Sequence, residues 1–198
     1  MKNKPFRRYF IVWLLSILCA VLSGCVNLTP SKVVTKLYAL GPIEATSVKV
    51  GQSTELHVSR PNLPVYLDGK RLQYRGSNGE IGELRGARWA EHLEEGVARS
   101  LAEYLIQVGA TQVTGFYPWP QRSRDGLSLR VRFFKLGALE DGSIRMLASW
   151  DLLKGSTLQK SGVFESSQIQ WDPSSAESLV AGLNSALEEF AREIVTEL

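Results

Sequence analysis

Three observations predict an α/β (α+β) fold. Two stretches carry apolar residues at three- and four-residue spacing, several shorter runs alternate apolar with polar residues, and tight-turn dipeptides separate those runs. Together they describe a two-layer sandwich: a mixed, mostly antiparallel sheet of roughly six to eight strands with two amphipathic helices on one face. The 198 residues are 44% hydrophobic and 22% charged, apolar enough for one core and too weakly charged for a disordered chain. No apolar run reaches the ~18 residues of a spanning helix.

The elements follow in chain order. Residues 36–40 (KLYAL) read as a short strand stopped by Gly41-Pro42. Residues 54–59 alternate, with Leu56 and Val58 on one side and Glu55 and His57 facing out. Residues 65–67 and 71–75 are expected to form a hairpin around Asp68-Gly69, and residues 76–86 (GSNGEIGELRG) a glycine-rich connector. The clearest helix is predicted over residues 87–108, its stripe made of Trp89, Leu93, Val97, Leu101, Tyr104, Leu105 and Val108. Residues 111–116 form the strand leaving that helix, an expected parallel neighbour of the strand entering it. Residues 127–135, 144–152 and 157–170 make an antiparallel meander turning at Asp141-Gly142 and Gly155-Ser156. A last helix is expected from Asp172 as N-cap and Pro173 at its first position, with Leu179, Val180, Leu183, Leu187, Phe190 and Ile194 as its buried stripe.

Charge and cysteine usage divide the chain. The formal net charge is +3, from 23 Lys+Arg and 20 Asp+Glu. Lys2, Lys4, Arg7 and Arg8 precede residue 25 with no acid among them, so the remainder carries about −1. A nucleic-acid-binding protein is therefore excluded as a reading of the charge. The cysteines are Cys19 and Cys25, so the folded part has neither disulfide nor thiol chemistry.

The first residues read as an address. A basic start leads into a 14-residue apolar stretch at 9–22, about 21 Å as a helix against a hydrocarbon core of ~30 Å. That is a signal-peptide pattern. Leu22-Ser23-Gly24-Cys25 then resembles the bacterial lipobox. The resemblance implies a signal peptide over residues 1–24, cleavage before Cys25, and diacylglycerol and N-acyl chains on Cys25. No other cofactor is expected. Several acyl chains hold a protein stably at a membrane where one does so marginally. The alternatives are an ordinary signal peptide with a chance cysteine, or a short membrane anchor. Residues 25–35 read as a tether reaching at most ~35 Å, and residues 36–198 as one domain. Val26, rather than Asp, follows Cys25; the enterobacterial sorting rule then implies the periplasmic face of the outer membrane.

Catalytic patterns are missing from the sequence. The two histidines are His57 and His92; neither H-E-x-x-H nor G-x-S-x-G occurs. His92 with Glu95 is one acid/base pairing, against a histidine on a wet helix flank. Gly76, Gly79, Gly82 and Gly86 match neither G-x-G-x-x-G nor a Walker loop. No catalytic or metal-ligating residue is assigned, and no enzyme is expected. Phe116-Tyr117-Pro118-Trp119-Pro120 ends a strand with aromatics; they either contact a partner or cap the core's edge. The pairs Arg122/Arg124 and Arg130/Arg132 read as a solvated face or as an attraction for an anionic partner.

Features across nearly the whole mature chain are similar to those of the ABC-type transport auxiliary lipoproteins, the paraquat-inducible protein C-like group. Lys36-Leu37-Tyr38-Ala39-Leu40 resembles the opening Tyr-x-Leu strand. Val58-Ser59-Arg60-Pro61-Asn62-Leu63-Pro64-Val65-Tyr66-Leu67-Asp68 resembles a Val-x-Leu-Pro-x-Tyr-Leu-Asp stretch. Arg88-Trp89-Ala90-Glu91-His92-Leu93 resembles an Arg-Trp-Ala-Glu-Pro-Leu helix start, with His92 in place of Pro; Arg88, Trp89 and Glu91 are its structural motif residues. The resemblance implies a non-catalytic outer-membrane lipoprotein that accompanies an MCE-domain protein and a membrane permease in intermembrane lipid transport. Tyr66, Tyr117 and Trp119 are the candidate docking residues, and a homo-oligomer is left open. The alternatives are an envelope-assembly lipoprotein and a periplasmic hydrolase.

Overall fold

The computed structural model describes residue 13 and residues 34–42, 55–108, 112–120 and 126–198. Leu22, Ser23, Gly24 and Cys25, with most of the tether, lie outside the described residues. Nine strands form one open sheet: β1 (Lys36–Tyr38), β2 (Glu55–Val58), β3 (Arg71–Arg75), β4 (Ile81–Trp89), β5 (Gln112–Phe116), β6 (Leu127–Leu139), β7 (Ser143–Lys154), β8 (Thr157–Glu165) and β9 (Ile169–Gln170). Two helices, α1 (Leu93–Gln107) and α2 (Ala176–Thr196), pack on each other and on the sheet. The expected mixed sheet with two helices is the observed architecture.

Strand β6 organises the sheet. One edge pairs antiparallel with β7 along nearly its whole length, and β7 pairs with β8 to complete the meander. The other edge is shared. Leu127–Leu129 pair parallel with β2, which carries β5, while Ala138 and Leu139 pair with Tyr74 and Arg75 of β3. Strands β4 and β1 follow outward from β3. Thus β5 is the parallel neighbour of β2, not of β4, the strand that enters α1.

The inward face of β6 survives an irregularity. Val131 and Phe133 are buried, and so are Leu136 and Ala138, although the parity changes between them. A bulge between Phe133 and Lys135 absorbs the extra residue and leaves Phe134 exposed. Phe190 of α2 fills the space above, 6.3 Å from Phe133 and 5.0 Å from Phe164 between ring centres. All six residues of the predicted α2 stripe are buried.

Four local expectations are corrected. Residues 65–67 form a single 3-10 turn rather than a hairpin arm. Pro61 and Pro64 remove ladder donors there, and Leu67 N donates to Pro64 O at 2.9 Å instead. The hairpin lies one segment later, between β3 and β4, where Gly76 N bonds Glu80 O at 2.7 Å. Asn78-Gly79 is its turn signal: Asn78 Oδ1 accepts from Glu80 N, and Gly79 has φ +87°. The supposed connector is therefore this turn followed by most of strand β4, with Gly82 close beneath the Tyr74 ring. The first helix begins at Leu93 rather than residue 87, because Ala87–Trp89 pair with Lys36–Tyr38 of β1. In the last helix Ser175 is the N-cap, accepting from Ser178 N at 3.1 Å. Asp172 instead closes a turn onto Ser174 N and Oγ, which leaves Pro173 outside the helix.

Candidate functional site

The ends of β2 and β5 lie side by side because the two strands run parallel, with Val58 opposite Phe116. Each chain leaves its strand in a sequence rich in proline. Tyr117 N still bonds Val58 O at 2.9 Å, and Trp119 N turns back onto Phe116 O at 2.9 Å. The Tyr117–Pro118 peptide bond is cis. Tyr117 is half-buried and Trp119 is 66% exposed.

Ionic contacts brace the same corner. Arg60, just past β2, donates from Nη2 to Glu94 Oε2 at 2.9 Å and from Nε at 3.1 Å. Its guanidinium carbon lies 5.3 Å from the centre of the Tyr117 ring, within cation–π range. Tyr117 Oη reaches Glu94 Oε1 at 3.4 Å. The Glu94 bond, then the Glu94 charge, raises the Arg60 pKa above its ordinary value. Glu94 and Glu95 in the first turn of α1 also suit the positive end of the helix. From sequence, Glu94 with Glu95 reads as a solvated helix face, and nothing connects Arg60 to it. The signal was a basic residue ending a strand and an acid opening a helix, which only the tertiary fold brings together.

Tyr66 sits elsewhere. It is 43% exposed on the 3-10 turn, beside Val65 at 88%, while Leu67 anchors the turn inward. It lines a cleft with Lys135 and Arg145, not the corner held by Tyr117. The three candidate docking residues are thus exposed or half-exposed but divided between two places.

The motif residues Arg88, Trp89 and Glu91 make internal contacts. Arg88 faces Arg71 across β3 and β4, and Glu83 lies between the two like charges, 2.7 Å from Arg88 Nη1. Trp89 is buried, and its backbone N–H donates to Lys70 O at 2.8 Å. Glu91 accepts from Arg99, which also grips Glu103 and donates from Nη2 to Leu40 O at 2.8 Å. One guanidinium therefore ties α1 to the segment before it and to the chain leaving β1. Gly41 has φ +114°, and a side chain there would collide with Glu103.

The histidines occupy different settings. His57, expected to face out, is only 7% exposed: it packs over Gly115 of β5, whose missing side chain leaves room for the imidazole. Burial lowers its pKa below the ordinary value. His92 occupies the N-cap position of α1 without a side-chain capping bond. Among the described residues no group of three His, Cys, Asp or Glu side chains is arranged to hold a metal, and no helix is long and apolar enough to cross a membrane.

Similarity to other proteins agrees with this fold. A crystal structure described only as an uncharacterized protein superposes with a TM-score of 0.64 at 20% identity, covering 82% of this chain and 98% of that one. Protein XCC0632 from Xanthomonas campestris superposes with a TM-score of 0.63 at 17% identity, covering 81% and 93%. At such identities the likeness is one of fold alone. No curated protein matches the chain. A family profile described as an ABC-type transport auxiliary lipoprotein component matches residues 38–195, nearly all of the domain. The chain belongs to that family, the ABC-type transport auxiliary lipoprotein components.

Proposed function

We propose that this protein is a non-catalytic, lipid-anchored docking subunit of an intermembrane lipid transport system. Cleavage after Leu22-Ser23-Gly24 leaves Cys25 as the acylated first residue, and Val26 directs the product to the periplasmic face of the outer membrane. Residues 25–35 then tether the domain. Its partners are an MCE-domain protein and the membrane permease that work with it. Lipid crossing an aqueous compartment needs a shielded path, and a tethered domain fixes the far end of that path at the receiving membrane. Anchoring raises the local concentration of a modest docking surface without adding contacts.

The observation that carries the docking role is Trp119, two-thirds exposed on a corner that Arg60, Glu94 and Tyr117 hold in place. An exposed tryptophan on a braced support is the kind of side chain that dominates binding energy at protein interfaces. The test is co-purification of an MCE-domain protein with the full acylated chain from detergent-solubilised envelopes. The expected result is recovery with the wild-type chain and loss with Trp119→Ala. Recovery of a different envelope assembly in its place would favour the envelope-assembly reading.

A further inference from the structure

A second feature lies on the sheet face opposite α1 and α2. Alternation along β6 and β7 sends Leu136, Ala138, Ile144 and Met146 into the core, where Ile144 meets α2 at Gly182. The same alternation sends Lys135, Gly137 and Arg145 to the opposite face. Gly137 pairs with Arg145, and Leu139 pairs with Arg75 of β3. Three cations from three adjacent strands therefore surround a bare glycine, all rooted within ~10 Å of it by strand spacing. A side chain at Gly137 would meet nothing within 4 Å, so the space above it is open. That space is a cleft of about 650 Å³, rimmed by Tyr66 and the turn at residues 76–79. The volume is that of a small-molecule site.

Two acids, Glu140 and Asp141, share the cleft with these three cations, leaving an excess of one positive charge. Glu140 Oε2 accepts from Ser77 N at 3.1 Å, and Asp141 Oδ1 accepts from Ser143 Oγ at 2.6 Å and Ser143 N at 2.9 Å. Glu140 is thus engaged by the turn between β3 and β4, and Asp141 by its own turn, where it also feels the charge of Arg145. Among the described residues, Arg75, Lys135 and Arg145 enter no ion pair.

The geometry points to a binding site for a phosphate-bearing anion, seated over Gly137 and held by Arg75, Lys135 and Arg145. Two guanidinium forks and an ammonium offer more donors and more charge than the two carboxylates at the cleft use, and they match the several acceptor oxygens of a phosphate ester. Backbone without a side chain lets the anion approach the sheet closely. The site is independent of the Trp119 corner and of any docking role.

The test reads Lys135 directly. The full acylated chain in neutral detergent is treated with an amine-acylating reagent, and modification of Lys135 and Lys154 is followed by peptide mass spectrometry. One arm adds glycerol phosphate; the other adds phosphatidylglycerol in mixed micelles with phosphatidylcholine, against phosphatidylcholine alone. Saturable, several-fold slowing at Lys135 with no change at Lys154 is expected. It should disappear in an R75Q/R145Q double variant and persist in the control variant R130Q, whose arginine lies on the same face nearer the start of β6. All three arginines are exposed, so matching melting curves will show that the variants fold. Protection by glycerol phosphate identifies a soluble phosphate ester as sufficient; protection by phosphatidylglycerol alone identifies a lipid headgroup. Unchanged reactivity in both arms, equal protection of Lys154, or protection that survives R75Q/R145Q overturns the site.

Discussion

Arg60 and Glu94 join the end of β2 to the first turn of α1 through a two-pronged contact, at 2.9 Å and 3.1 Å to one carboxylate oxygen. The Tyr117 ring lies against the same guanidinium. Because this contact stands at the protein surface, its value is positional: it sets where Tyr117, and Trp119 two residues on, can stand. Arg60→Ala is expected to leave the melting curve of the full chain close to wild type while sharply reducing recovery of the MCE-domain partner. Parallel melting and co-purification measurements check this. Loss of folding together with recovery would assign Arg60 a structural role instead.

Arg99 has a different part, because it is three-quarters covered and holds three groups at once. Arg99→Met keeps the aliphatic stem but leaves the Leu40 carbonyl and the Glu91 and Glu103 carboxylates without their donor. A loss of about 1–3 kcal/mol in unfolding free energy is expected, since water still reaches the carboxylates. Urea denaturation of the full chain in detergent measures it.

Phe190 tests the core between the two layers. It is fully buried against Phe133 and Phe164, and α2 cannot collapse far enough to fill the space its ring occupies. Phe190→Ala is expected to cost about 3–5 kcal/mol. The same denaturation measurement compares it with Phe134→Ala, whose exposed ring should be worth less than about 0.5 kcal/mol.

Much of this core was legible in the sequence, and the reason is local periodicity. The α2 stripe and the alternation of β6 and β7 depend only on which face a residue occupies. Residues 87–89 show the opposite case. Their spacing continues the α1 stripe, yet pairing with β1, about fifty residues earlier in the chain, makes them strand. His57 likewise reads as outward by alternation, and only Gly115 on a neighbouring strand explains its burial. At the candidate site the aromatic segment was visible, but its braces, Arg60 and Glu94, are brought together only by the packing of α1 beside β2.

Acid should loosen the tie between β1 and α2. Tyr38 Oη donates to Glu177 Oε1 at 2.6 Å, and Lys36 Nζ stands at 3.1 Å. The tyrosine bond first, then the backbone N–H of Glu177 and the lysine, bring the Glu177 pKa down to about 2. A carboxylate whose folded pKa is depressed stabilises the fold above its unfolded value, 4.5, and loses that contribution as pH falls toward 2. The stability difference between wild type and Glu177→Gln is therefore expected to be constant above pH ~5 and to shrink on acidification. Urea titrations at stepped pH read it, and a difference independent of pH would contradict the assignment.

The docking role is tested most directly by photo-crosslinking from position 119 in intact cells. A photo-reactive amino acid replaces Trp119 in the full acylated chain, and a second variant carries it at position 130 on the open sheet face as the comparison. The expected result is an adduct from position 119 that contains an MCE-domain protein and is absent from position 130. Membrane-anchored chain that gives no such adduct from position 119, or gives the same adduct equally from both positions, would contradict the docking surface described here.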